Sequence, residues 1–118
     1  MSQNFLKATT RTGIHIQINA GYDRPHGGLF ANVLVLDDLD EDAISPEQDR
    51  ELDSIGQINA CSPATVSDIA SVFDDHLGVK LPAAMIQILD EDLQNRQGNT
   101  VRLYDIDGNL LNAAGQPQ

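Results

Sequence analysis

Tryptophan is absent from the 118 residues, cysteine occurs once, and three phenylalanines and two tyrosines are the only large aromatic side chains. With Cys61 alone, no intramolecular disulfide can form, which suits a reducing compartment. A chain of this length buries roughly two-thirds of its unfolded surface, so a core forms without disulfides or metal. That core must be mostly Ile, Leu, Val and Ala. No apolar run approaches the roughly 18 residues of a membrane span, and the first six residues hold no signal-peptide core. The expectation is one cytoplasmic domain over residues 1–118, with no membrane partner.

Positive charge is also scarce. Seven Lys and Arg face 18 Asp and Glu, a net charge of -11. Direct binding of nucleic acid or of an anionic membrane needs a positive patch that displaces counterions, so both are set aside. Attraction to basic partners is favoured instead.

What the chain does have is carboxylates, and half of them fall in "DDLDEDAISPEQDRELD", residues 37–53, with Arg50 the one cation. Residues 37–54 are expected to be an acidic loop, and residues 113–118 a flexible tail. "SPEQDREL" offers Ser45 as a cap and Pro46 as a first helical residue, enough for a turn of helix. "SIGQINA" reads as a short edge strand.

Elsewhere the periodicity is plainer. Residues 5–10 and the strict alternation of Ile14, Ile16 and Ile18 with His15, Gln17 and Asn19 predict a hairpin around Gly13. "GYDRPHGG" reads as a loop, and "LFANVLVL" as a strand covered at least partly on both faces. Two helices follow. Ser62 and Pro63 open the first, Gly78 ends it, and Val66, Ile69, Phe73 and Leu77 form its apolar stripe. Pro82 opens the second, with Met85, Ile86, Leu89 and Leu93 inward and Asp90 and Glu91 outward. "TVRLYDIDGNLL" closes as a hairpin turning at residues 107–109. The fold expected is α+β, an antiparallel sheet of four to five strands with two helices packed on one face.

Tests for chemistry give little. Asp38, Asp40, Asp42 and Asp49 fall at positions 1, 3, 5 and 12 of a calcium loop, but Ala43 stands where the turn needs Gly, and no metal site is assigned. The histidines, His15, His26 and His76, show no ligand spacing. His76 suits the C-terminal end of a helix dipole. A Cys61–His pair stays open as a small-enzyme alternative. "GYDRPHGG" is not in the order of a phosphate-binding loop. No catalytic residue and no cofactor is assigned.

The segments "GYDRP", "LFANVLVLDD" and "HLGVKLPAAMIQILDEDLQNRQGNTV" resemble a group of small proteobacterial proteins carried by plasmids and other mobile elements. The resemblance rests on Gly21, Tyr22, Asp23, Arg24 and Pro25, then Leu77, Gly78, Pro82 and Met85, then Asp92, Gly98 and Asn99. It spans residues 14–101 and departs in the acidic insertion and at Gly27-Gly28. It implies no known reaction, but it implies a host-interaction role such as countering a defence system.

The reading is therefore a non-enzymatic acidic module that docks on the basic surface of a host protein or nucleoprotein complex. In its sharpest form it is a nucleic-acid mimic, an inhibitor of a CRISPR or restriction complex. Its surface is Asp37, Asp38, Asp40, Glu41 and Asp42, with Glu47, Asp49, Glu51 and Asp53 in support; Asp74, Asp75, Asp90, Glu91 and Asp92 add charge on the helices. The plainer alternative is a solvated loop. A second is a structural or oligomeric accessory protein of a mobile element, a homodimer joined through the polar face of His15, Gln17 and Asn19 or through a sheet edge, and a third is a small metal- or Cys-dependent enzyme; the chain is expected as a monomer or homodimer.

Overall fold

Alternating isoleucines at 14, 16 and 18 put one face of the second strand wholly inside the molecule, and the rest of the fold is arranged around that face. The computed structural model describes residues 2–23, 27–60, 65–96, 98, 100–105 and 109–111. Strands β1 (Ser2–Thr9), β2 (His15–Asp23) and β3 (Gly28–Val35) are followed by a 3-10 turn (Glu41–Ala43). Helices α1 (Pro46–Asn59), α2 (Val66–Leu77) and α3 (Ala83–Asn95) come next, then β4 (Thr100–Tyr104) and a two-residue stub, β5 (Leu110–Leu111).

The architecture is α+β, with two corrections to the expectation. The sheet runs β3-β2-β1-β4-β5 and is mixed, because β4 lies parallel to β1 while the other neighbours are antiparallel. Three helices, not two, intervene between β3 and β4, and this long connection lets β4 enter beside β1 in the same direction. The third helix is α1, which takes up the second half of the expected acidic loop and all but the last residue of the expected edge strand at "SIGQINA". Its start follows the sequence signal: Ser45 accepts from the Gln48 N–H, Gln48 reaches back to the Ser45 N–H, and Pro46 opens the first turn.

The sheet packs one face against the helices. Leu6, Ile18 and Val33 lie in one cross-strand row, and Ala20 and Ala31 in the next. Against them come Ile55 and Ile58 of α1, Ile69, Phe73 and Leu77 of α2, and Met85 and Leu89 of α3. Each such side chain contributes about 1.5–3 kcal/mol by leaving water. "GYD" continues β2 instead of starting a loop. At Gly21 the backbone of β1 comes so close that a Cβ would strike the Ser2 carbonyl.

Helix α2 is capped by Thr65, whose hydroxyl accepts from the Asp68 N–H while Asp68 accepts from the Thr65 N–H. The expected caps, Ser62 and Pro63, lie outside the described residues, as do Cys61, His26, the turn at 107–108 and the tail at 113–118. Gly78 ends α2 at φ 68°, its N–H bonded to the Asp74 carbonyl as in an αL cap, and the Val79 N–H bonds to the Phe73 carbonyl. At the free edge of β3, the Asn59 side chain occupies the backbone groups of Val33. No helix among the described residues is long and apolar enough to cross a membrane.

Candidate functional site: an ordered acidic surface

The acidic segment starts from a fixed point. The His15 N–H donates to Asp37 Oδ2 at 2.8 Å, and the His15 ring Nδ1 lies 3.0 Å from the same carboxylate. Leu36 extends the ladder by donating its N–H to the His15 carbonyl. The backbone hydrogen bond from His15, reinforced by its side chain, holds the Asp37 carboxyl below the usual value despite some desolvation. Asp37 thus ties the segment to β2, and its oxygens are engaged within the fold.

Beyond it the chain is ordered by its own carboxylates. Asp40 accepts from the Asp42 N–H at 3.1 Å and caps the 3-10 turn that contains Glu41. Glu47 and Asp49 occupy the first turn of α1, where the helix dipole favours negative charge. Asp53 follows one turn after Asp49, so the two lie on neighbouring positions of one helix face. Asp38, Asp40, Asp42, Glu47, Asp49 and Asp53 are all exposed. The ion pairs among the described residues are His15–Asp37 and Arg102–Asp92, so none of these six is paired.

Glu51 is a correction. It was expected on the surface, but it is 5% exposed. Its phase explains why: Glu51, Ile55 and Ile58 are spaced i, i+4, i+7 and form the buried stripe of α1. Its Oε2 accepts from the Thr12 N–H at 3.0 Å and its Oε1 from the Thr12 hydroxyl at 2.9 Å. The carboxylate therefore clamps the β1–β2 turn to α1. Arg11, beside it, donates to the Asp74 carbonyl at 3.4 Å and brings positive charge to the C-terminal end of α2.

Asp92 is the second correction. It is 3% exposed, on the α3 stripe with Met85 and Leu89, and does not add to the acidic surface. It takes two hydrogen bonds from Arg102, at 2.7 and 3.1 Å. Arg102 also donates to Asn4 Oδ1 at 3.2 Å, and Asn4 Nδ2 donates to the Ala20 carbonyl at 3.0 Å. This buried network joins α3, β4, β1 and β2. Tyr104 sits on it, its hydroxyl 3.5 Å from Asn4 Oδ1.

Among the described residues no three His, Cys, Asp or Glu side chains are grouped to hold a metal. Of the calcium-loop positions, Asp40 is spent on a cap and Asp49 belongs to a helix. A cleft of about 340 Å3 beside the acidic helix is lined by Arg11, Arg50, Ser54, Asp75 and His76. No hydrogen bond joins Ser54 to His76 there. Compared with protein-family models, with curated proteins and with solved structures, the chain matches none.

Proposed function

We propose that this chain is a non-enzymatic binding protein that docks its acidic surface on a basic macromolecular partner. The observation that carries the reading is the presentation of Asp38, Asp40, Asp42, Glu47, Asp49 and Asp53. All six are exposed and free of ion pairs among the described residues; Asp40 and Asp42 belong to a capped turn, Glu47, Asp49 and Asp53 to a capped helix, and Asp38 to the link that leads into the turn. A carboxylate row held by a folded scaffold loses less conformational entropy on binding than one on a mobile loop. Like charge this dense costs self-repulsion, which a cationic partner would relieve.

The finer form of the proposal is a nucleic-acid mimic. The surface would occupy a groove built for phosphates in a host nucleic-acid-handling complex of the CRISPR or restriction type, and the inhibition would be steric and electrostatic. The resemblance to mobile-element proteins favours a host target of this kind. A cytoplasmic site of action accords with it. The surface is narrower than the sequence suggests: Glu51 and Asp92 lie inside the fold, and Asp37 is bound to His15.

Competition tests the mimic directly. Host proteins retained on the immobilised chain at low salt are expected to be released by added DNA or RNA. Release by salt but not by nucleic acid keeps the docking and removes the mimicry.

A further inference from the structure

The two faces of the sheet differ in chemistry. Helices cover one, and nothing among the described residues covers the other. The register places Leu34 beside Gln17 and Lys7, then Asn32 beside Asn19, Phe5 and Leu103 on that open face. Leu34, Leu36 and Val101 are the exposed large hydrophobic residues among those described, at 62%, 43% and 64%. Strand alternation puts all three on this face. A groove of about 490 Å3 lies among Phe5, Leu36, Leu103 and Leu111.

Charge decides what can cover it. The chain carries -11, but the carboxylates of the described residues along this face are few: Asp23 at the far end of β2, and Asp105 just past β4, which lines the groove and accepts from the Asn109 N–H and side-chain amide. Asp37 stands at the opposite corner, bound to His15. Exposed carboxylates crowd the other sides: the 38–53 segment, Asp68, Asp74 and Asp75 on α2, Asp90 and Glu91 on α3. The open face is thus where a second chain of -11 meets the least like-charge opposition. A basic protein would be drawn to the acidic side, and among the described residues a nucleic acid would find only Lys7 and His15 here.

Geometry agrees. Edge pairing is hindered on one side, where Asn59 occupies Val33, and β5 on the other is a two-residue stub. Strands about 4.8 Å apart, rising about 3.3 Å per residue, give roughly 500 Å2 of projected face, more with side-chain relief. A standard interface takes about 800 Å2 from each partner, so the projected face alone falls short and the relief of Leu34, Leu36 and Val101 must supply the rest.

We infer that the open sheet face is a homodimer interface, with a second copy of this chain packed against it face to face across a two-fold axis. The interface stands apart from the acidic docking surface, and either can fail alone.

Sedimentation equilibrium of the full chain tests it. The expected species is a dimer that tightens as salt rises, because screening weakens repulsion between the two acidic chains. Leu34→Lys with Val101→Lys is expected to weaken dimerisation about 100-fold. The variant should keep the wild-type circular dichroism spectrum, since both side chains already face solvent. Leu34→Asp alone serves if the double variant does not fold. A monomer at every concentration up to the solubility limit overturns the inference, as does a dimer unmoved by the folded variants.

Discussion

The side-chain amide of Asn59 engages both backbone groups of Val33: Oδ1 accepts its N–H at 2.7 Å, and Nδ2 donates to its carbonyl at 3.2 Å. Val33 lies on β3, the edge of the sheet, where these groups would otherwise face outward as a template for another strand. The last turn of α1 therefore stands in for a neighbouring strand at one residue. Asn59→Ala is expected to cost about 1–2 kcal/mol and to raise light scattering on heating. Urea unfolding and a scattering ramp measure both. An unchanged midpoint with unchanged scattering would mean that the amide guards nothing.

Glu51 contributes through Thr12 and not through a partner. Glu51→Ala leaves the Thr12 N–H and hydroxyl without their acceptor in a part-buried turn, at an expected cost of about 1–3 kcal/mol. Binding of any basic partner, compared at a temperature where the variant is folded, should change little. A large loss of affinity with no loss of stability would return Glu51 to the docking surface.

The Arg102–Asp92 pair is expected to behave asymmetrically. Asp92→Asn leaves a guanidinium without its counter-charge under α3, and about 3–5 kcal/mol is at stake. Replacing both, as Arg102→Met with Asp92→Leu, should cost much less than the sum of the single changes, because no charge is left alone. A double-mutant cycle in urea settles it; strict additivity would show that the two groups do not act as a pair.

Burial pushes the Tyr104 phenol up to about 12; the Arg102 guanidinium opposes this and the Asp92 carboxylate adds to it. An unfolded phenol titrates near 10. Between those values the unfolded chain has released a proton that the native chain still holds. The Tyr104 contribution is therefore complete below pH 10 and is lost as pH rises towards 12. Absorbance at the phenolate band should show a late component that Tyr104→Phe removes. If that substitution instead removes amplitude near pH 10, the burial argument fails.

The sequence made the hairpin and the stripes of α2 and α3 legible, because their periods are clean; β3 was legible as an apolar run, but the cover expected on its second face is not there among the described residues, since Leu34 is 62% exposed. Ile14, Ile16 and Ile18 are fully buried, as their alternation requires. Helix α1 was obscured by charge density and by Gly56, which sits mid-helix in open space. Without a helix there, Glu51 had no phase, and its place on the stripe of Ile55 and Ile58 was hidden. Asp92 was readable: it lies seven residues after Met85 and three after Leu89, on the buried stripe of α3. The parallel pairing of β1 and β4 had no local signal, since strand order depends on contacts across the whole chain. The acidic surface was legible as composition, but which carboxylates it keeps depended on the caps at Asp40 and Ser45.

Charge reversal tests the central claim most directly. Asp38, Asp42 and Asp53 are exposed and hold no cap, so replacing all three with Lys should leave the fold intact. Wild type and variant, immobilised side by side, are exposed to the same host lysate across a salt series, and the retained proteins are identified by mass. The account predicts basic, nucleic-acid-handling proteins that wild type holds at low salt, that elute as salt rises, and that the folded variant does not retain. The same proteins held equally by both, with no dependence on salt, would contradict it.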